Sequence, residues 1–144
     1  MKSTKNVIVK EVVSAKEKRA FACFNADFYA DNPNAIPDIV SDEYDTFIPK
    51  KNPAYEFCET KLFLSYIDKK IVGRIAGLIN HAYNKKWAKN RIRFTRFDFI
   101  DDYEVSEALM NEVIKWGKER GYKEIMGPIG FTDMDHEGML VDGF

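Results

Sequence analysis

No apolar run in this 144-residue sequence reaches bilayer-spanning length, and the N-terminal MKSTKNVIVKEVV lacks the apolar core of a signal peptide. Cysteine is scarce too. Cys23 and Cys58 stand alone, with neither metal-ligand spacing nor disulfide density, which fits a reducing cytoplasm. No sign of charge is in excess: Lys and Arg number 22 against 23 Asp and Glu, so nothing overall points to nucleic acid or a membrane surface. P-loop, dinucleotide fingerprint, G-x-S-x-G and His/Cys metal patterns are all missing. So are internal repeats and low-complexity tracts. What is present is apolar content of 45% with 14% aromatic residues, the composition of a folded chain with one sizeable core across residues 1–144.

The clearest pattern runs from Lys61 to Ile100. KLFLSYI (61–67) alternates aliphatic and aromatic residues, DKK (68–70) turns, and IVGRIAGLIN (71–80) runs back. After a polar loop, RIRFTRFDFI (91–100) predicts a third strand of an antiparallel meander. That third strand carries a phase slip. Ile92 and Phe94 share one face, and the apolar positions then shift to Phe97 and Phe99. An extra residue near Thr95 or Arg96, a β-bulge, has this effect; burial of both faces is the alternative.

Around the meander, VIVKEVV (7–13) reads as a strand. Ser14 and Glu17 form a capping box for a helix with Phe21, Phe24 and Phe28 on one stripe, which ends before Asp31-Asn32-Pro33. A short helix fits residues 37–47, with Val40, Tyr44 and Phe47 inward. Asn52-Pro53 caps a further turn through Tyr55 and Phe57. Asp101 and Glu104 start a helix with Val105, Ala108, Leu109, Val113 and Trp116 on one stripe, closed by Gly121. YKEIMG (122–127) follows as a strand, parallel to its predecessor by the crossover rule. The predicted order is β–α–α–β–β–β–α–β, an α/β (α+β) arrangement with a mixed sheet.

Several polar residues stand out. Asn80, His81 and Asn84 close the second meander strand; His81 has the chemistry of a general base, and an ordinary solvated turn is the plainer account. Arg74 shares a face with Val72, Ala76 and Leu78, so it requires a carboxylate such as Asp98 or Glu59, or a ligand anion. Gly73 and Gly77, on the opposite face, predict close approach of a helix or ligand. Asp133, Asp135, His136 and Glu137 have metal-like composition without the spacing of a calcium loop, which reads as a solvated loop and no metal site. Lys85, Lys86, Trp87, Lys89, Arg91, Arg93 and Arg96 form a local basic run, read as a solvated face and not as a nucleic-acid surface.

The element order, the bulge before a crossover helix, and the runs NPAYEFCETKLFLSYIDKKIVGRIAGLINHAYN (52–84), RFTRFDFIDDYEVSEALMNEVIKWGKERGYKEIMGP (93–128) and EGMLVDGF (137–144) resemble the GNAT acetyltransferase superfamily. In particular they resemble the N-terminal part of longer, poorly characterised bacterial GNAT-like proteins. The resemblance implies acetyl-CoA-dependent transfer to a small-molecule primary amine. Thr95, Arg96, Phe97, Asp98 and Phe99 would hold the pantetheine at a strand splay, and His81 or Glu59 would be the base. Two features depart from the superfamily pattern. The place of its [QR]-x-x-G-x-[GA] pyrophosphate loop reads Phe99-Ile100-Asp101-Asp102-Tyr103-Glu104, with no glycine and three carboxylates. The 18 residues from Gly127 are too few for the usual final helix and two strands, and the apolar Leu140, Val141 and Phe144 look made for a partner or for further sequence. The alternative expectation is therefore a non-catalytic GNAT-like module packing against a C-terminal catalytic half or a second copy.

Overall fold

The computed structural model describes residues 6–142; Phe144, among the apolar C-terminal residues singled out above, lies outside them. The elements are β1 (Ile8–Glu11), α1 (Ala15–Phe28), α2 (Val40–Thr46), a 3-10 turn (Pro53–Glu56), β2 (Cys58–Ile67), β3 (Lys70–Asn80), α3 (His81–Lys86), β4 (Arg91–Phe99), α4 (Tyr103–Glu119) and β5 (Glu124–Met126). The five strands pair in chain order. β1 to β4 run antiparallel, and β5 joins β4 in parallel after the α4 crossover. The predicted order holds with one insertion: the polar loop after β3 is a six-residue helix, because the Asn80 side chain caps Tyr83 N–H at 2.8 Å.

Local chemistry explains most boundaries. The Ser14–Glu17 capping box is formed in full, and two left-handed residues, Asp68 (φ 48°) and Lys69 (φ 67°), make the tight β2–β3 turn. At the start of α4 the cap is Asp102, whose carboxylate accepts from Glu104 N–H at 3.0 Å, not the expected Asp101. Gly121 (φ 80°) ends that helix in the left-handed conformation.

The sheet is covered on both sides. On one side α4 lays Val105, Leu109, Val113 and Trp116 over Phe63, Ile75, Ile79 and Ile92. On the other, Phe21 of α1, Phe47 and Phe131 cover Leu62, Leu64, Ala76 and Leu78. α4 packs close over Gly73 and Gly77, where a Cβ would meet Leu109 and Trp116 at 2.9 Å, so of the helix or ligand that their spacing implied it is the helix. Val72, expected beside Arg74, packs on the α4 side, since a register shift at Ser65/Tyr66 changes the phase of the strand end. In α2 the inward residues are Glu43 and Phe47; Val40 and Tyr44 are only half-buried.

The bulge in β4 is real. Asp98 pairs with Arg74 and Thr95 with Ala76, which leaves Arg96 and Phe97 opposite one residue, Ile75. Arg96 takes φ 53°. Ile92 and Phe94 before the bulge, and Phe97 and Phe99 after it, all pack on the α4 side. The slip therefore keeps the aromatic residues on one face while sending Thr95, Arg96 and Asp98 toward α1 and α2.

A candidate active-site cleft at the bulge

On the α1 side, the bulge sits over a buried ionic network. Arg74, 1% exposed, donates from Nε to Asp98 Oδ2 (2.8 Å) and from Nη1 to Glu43 Oε1 (3.2 Å) and the Phe21 carbonyl (2.9 Å). Arg96 clasps the same Glu43 through Nε (2.9 Å) and Nη2 (3.1 Å), and its Nη1 lies 2.9 Å from Asp135 Oδ1. Burial by itself would lower the Arg96 pKa. Glu43 and Asp135 outweigh it and hold the guanidinium above its ordinary value. Glu43, 4% exposed, thus sits between two arginines that have no water to solvate them.

Above the network opens a cleft of about 530 Å³, bounded by Tyr29 at the C-terminal cap of α1, Asp38 of the α1–α2 connection, the bulge, and the segment after β5. Tyr29 Oη donates to Asp98 Oδ1 at 3.3 Å. Burial first, then the Asp98 charge, pushes its phenol pKa up. The cleft also marks where β4 and β5 part. Their pairing ends at Arg93 with Met126, and Ile129 N–H then bonds the Phe94 carbonyl at 2.9 Å. Two buried side chains hold that returning segment at the Phe131 carbonyl: Asn80 Nδ2 (3.0 Å) and Arg93 Nη1 (3.3 Å).

The sequence candidates fall into two places. Thr95, Arg96, Phe97, Asp98 and Arg74 belong to the cleft. Asn80, His81, Asn84 and Glu59 do not. Asn80 and Asn84 act as structural caps, Asn84 Nδ2 donating to the Arg91 carbonyl at 2.9 Å. His81 Nε2 lies 2.6 Å from Glu59 Oε2, and Arg120 holds the same carboxylate at 2.7 and 3.1 Å. This trio is exposed and on the α4 side, whereas the cleft is on the α1 side. Six strand residues, about 20 Å, separate Arg74 from Asn80. Glu59 accordingly does not serve Arg74. In the basic run, Arg93 and Arg96 are buried and not solvated, and Arg91 pairs with Glu124 at 2.7 Å. Asp135, read as part of a solvated loop, is largely buried against Arg96. Residue types alone did not disclose Tyr29, Asp38 or Glu43; the one available signal for Glu43 was its i, i+4 spacing from Phe47. Burial pushes the Cys58 thiol up to about 11, against a lesser opposing effect of Arg93, which disfavours the nucleophilic thiolate.

The Glu59 trio yields a pH prediction. Arg120 foremost, and His81 after it, lower the Glu59 carboxyl below its usual 4.5, against burial. Its stabilisation is therefore present above about pH 4.5 and lost as pH falls through the lowered folded value. With a side chain 42% exposed, the gain is below about 1 kcal/mol. Urea unfolding should show Glu59→Gln weaker than wild type at neutral pH, with the gap closing in acid. A gap that stays constant into strong acid contradicts this account.

A sheet whose bulged fourth strand parts from a parallel fifth, with a crossover helix between them, defines the GNAT fold, and this chain has that fold. Among solved structures it superimposes on a tandem GNAT protein from the clavulanic acid biosynthesis pathway with TM-score 0.63 at 12% identity, covering 83% of this chain and 35% of that one. It also superimposes on FeeM, an N-acyl amino acid synthase from uncultured soil microbes, with TM-score 0.58 at 13% identity, covering 89% and 75%. In sequence it is 28% identical to Protein YghO of Escherichia coli (strain K12) over 137 residues, 95% of this chain and 35% of that protein. It is likewise 28% identical to a bacterial ceramide synthase of Caulobacter vibrioides over 135 residues, 92% and 35%. The chain thus spans about a third of these relatives. No family model matches it. Among the described residues no helix is long and apolar enough to cross a membrane.

Proposed function

We propose that this chain is the GNAT-like part of an N-acyltransferase that moves an acyl group from a coenzyme A thioester to an amine, within a longer protein. The observation that carries the reading is the parting of β4 from β5 at a bulge that opens into the Tyr29–Asp98 cleft. Beyond Phe94 the edge of β4 that faces away from β3 has no ladder partner among the described residues, so the outward backbone groups between Thr95 and Phe99 are available to a pantetheine's amides. The activities of two similar proteins, an N-acyl amino acid synthase and a ceramide synthase, support acyl transfer in general. Four carboxylates (Asp38, Glu43, Asp98, Asp135) face two guanidiniums (Arg74, Arg96) around the cleft, and that excess of negative charge suits an ammonium acceptor better than an anion. Glu59 at the start of β2 and His81 just past the end of β3 stand on the other face and about 20 Å along the strands from Arg74, too far to act at the same bond.

A second reading, a GNAT-like module that leaves the chemistry to a C-terminal half or a second copy, is favoured by the start of α4. There the Asp102 carboxylate already occupies Glu104 N–H, and Asp101 and Glu104 add charge where a diphosphate would lie. Calorimetric titration with acetyl-CoA and a long-chain acyl-CoA, using desulfo-CoA as the unreactive check, separates the two. Saturable micromolar binding, with thiol release once primary amines are added, is the expected result. No binding at millimolar concentration overturns the acyltransferase reading for this segment and leaves the module.

A further inference from the structure

The segment that follows β5 returns to the cleft. The Ile129–Glu137 bridge and Gly138 N–H to the Pro128 carbonyl (2.9 Å) brace it. It presents His136, whose Nε2 lies 3.2 Å from Asp38 Oδ1. Asp38 Oδ2 is in turn 3.6 Å from Arg74 Nη2, so the imidazole is tied through one carboxylate to the buried arginine of β3. The ring lines the cleft with Tyr29 and Asp98 and is itself 68% exposed.

We propose that His136 accepts the proton of the incoming nucleophile in this cleft and that Asp38 is its positioning residue; the inference rests on the acyltransferase reading. The other ionisable groups facing the cleft are already committed. Asp98 is held by Arg74 and by the Tyr29 hydroxyl, Glu43 lies between Arg74 and Arg96, and Asp135 is paired with Arg96. The Tyr29 phenol is pushed toward its protonated form. Asp42 of α2 is near Asp38 but accepts from the Ser41 hydroxyl at 3.2 Å on an exposed surface. With Nε2–H given to Asp38, Nδ1 is the nitrogen left to accept. An acceptor ammonium gives its proton to Nδ1, and the freed nitrogen lone pair attacks the thioester carbonyl carbon. As the C–N bond is made and the C–S bond breaks, the second nitrogen proton passes to the departing sulfur. The imidazolium, held by Asp38, then loses its proton to solvent. The carboxylate fixes the tautomer and steadies the charge that forms.

The test compares wild type, His136→Gln and Asp38→Asn in the protein that carries this domain, with acetyl-CoA, a long-chain acyl-CoA and a panel of primary amines. His136→Gln should keep acyl-CoA affinity, lower kcat/KM by about 10²-fold or more, and abolish the fall of kcat/KM on the acid side. A variant with the wild-type rate, or with the wild-type acid limb, overturns the proposal while leaving acyl transfer intact. Wild type that transfers nothing from any thioester overturns the acyltransferase reading, and this inference with it. Nitrogen-15 imidazole spectra of the free chain give a readout without substrate. The proton should sit on Nε2 in wild type, and that preference should be lost in Asp38→Asn. An Nδ1-protonated ring in wild type sinks the assignment.

Discussion

Replacing Glu43 by alanine is expected to lower the unfolding free energy by about 3–5 kcal/mol. Few substitutions cost as much, and the reason here is specific. Glu43 is the common counter-charge of Arg74 and Arg96, which are 1% and 8% exposed. Without it Arg74 retains Asp98 and Arg96 retains Asp135, but each guanidinium loses a charged partner that water cannot replace. Arg96 also occupies a left-handed backbone position that its side-chain bonds help to hold. Urea denaturation, with a second probe to check two-state behaviour, measures the loss. The double variant Glu43→Leu with Arg96→Met should lose less than the sum of its parts, since removing both charges leaves neither uncompensated. A Glu43→Ala loss under about 1 kcal/mol would mean that the network is solvated and not buried.

The second large effect is expected at the opposite face of β3. A Cβ at Gly73 would sit 2.8 Å from Ser65 Oγ and 2.9 Å from both Leu109 Cδ1 and Phe99 Cβ. Phe99 is its cross-strand partner, so that atom cannot withdraw without unpairing β3 from β4. Overpacking of this kind costs about 1–3 kcal/mol for a single methyl group, and valine should reach or exceed the top of that range. A Cβ at Gly77 would meet the Trp116 ring at 2.9 and 3.0 Å, so Gly77→Ala should behave alike. Thermal unfolding of Gly73→Ala and Gly73→Val reads the effect. A Tm within error of wild type for both would show that α4 can lift from the sheet at no cost. Because the strain falls at the same β3–β4 register that sets the bulge, Gly73→Val should also weaken acyl-CoA binding if the cleft works as proposed.

The extent to which the sequence disclosed this protein varies with the range of the interactions. The meander, the capping box at Ser14, the α4 stripe and the phase slip in β4 were legible because each depends on residues within one turn or on a two-residue alternation. The bulge was placed at Thr95–Arg96 from that slip alone, and Arg96 is where the backbone turns left-handed. The start of α4 was read one residue early and α3 was read as a loop, since short caps offer several equivalent Asx residues.

The cleft itself was only half legible. Arg74 was expected to need Asp98, Glu59 or a ligand anion, because a charge on a core face must find a partner; the cross-strand register decided for Asp98. Tyr29, Asp38, Glu43 and His136 lie 45, 36, 31 and 62 residues from Arg74 in the chain, and nothing in the local pattern of any of them announces the others. Conversely, Glu59 and His81 were the bases that the resemblance implied, and tertiary packing sets them on the other face with Arg120. By itself, then, the sequence determined most of the elements and their order, and it offered the bulge as one of two readings, since propensity, periodicity and capping are local. Only the tertiary structure decided which charges are buried and which are wet, because the energy of a charge depends on what surrounds it in space.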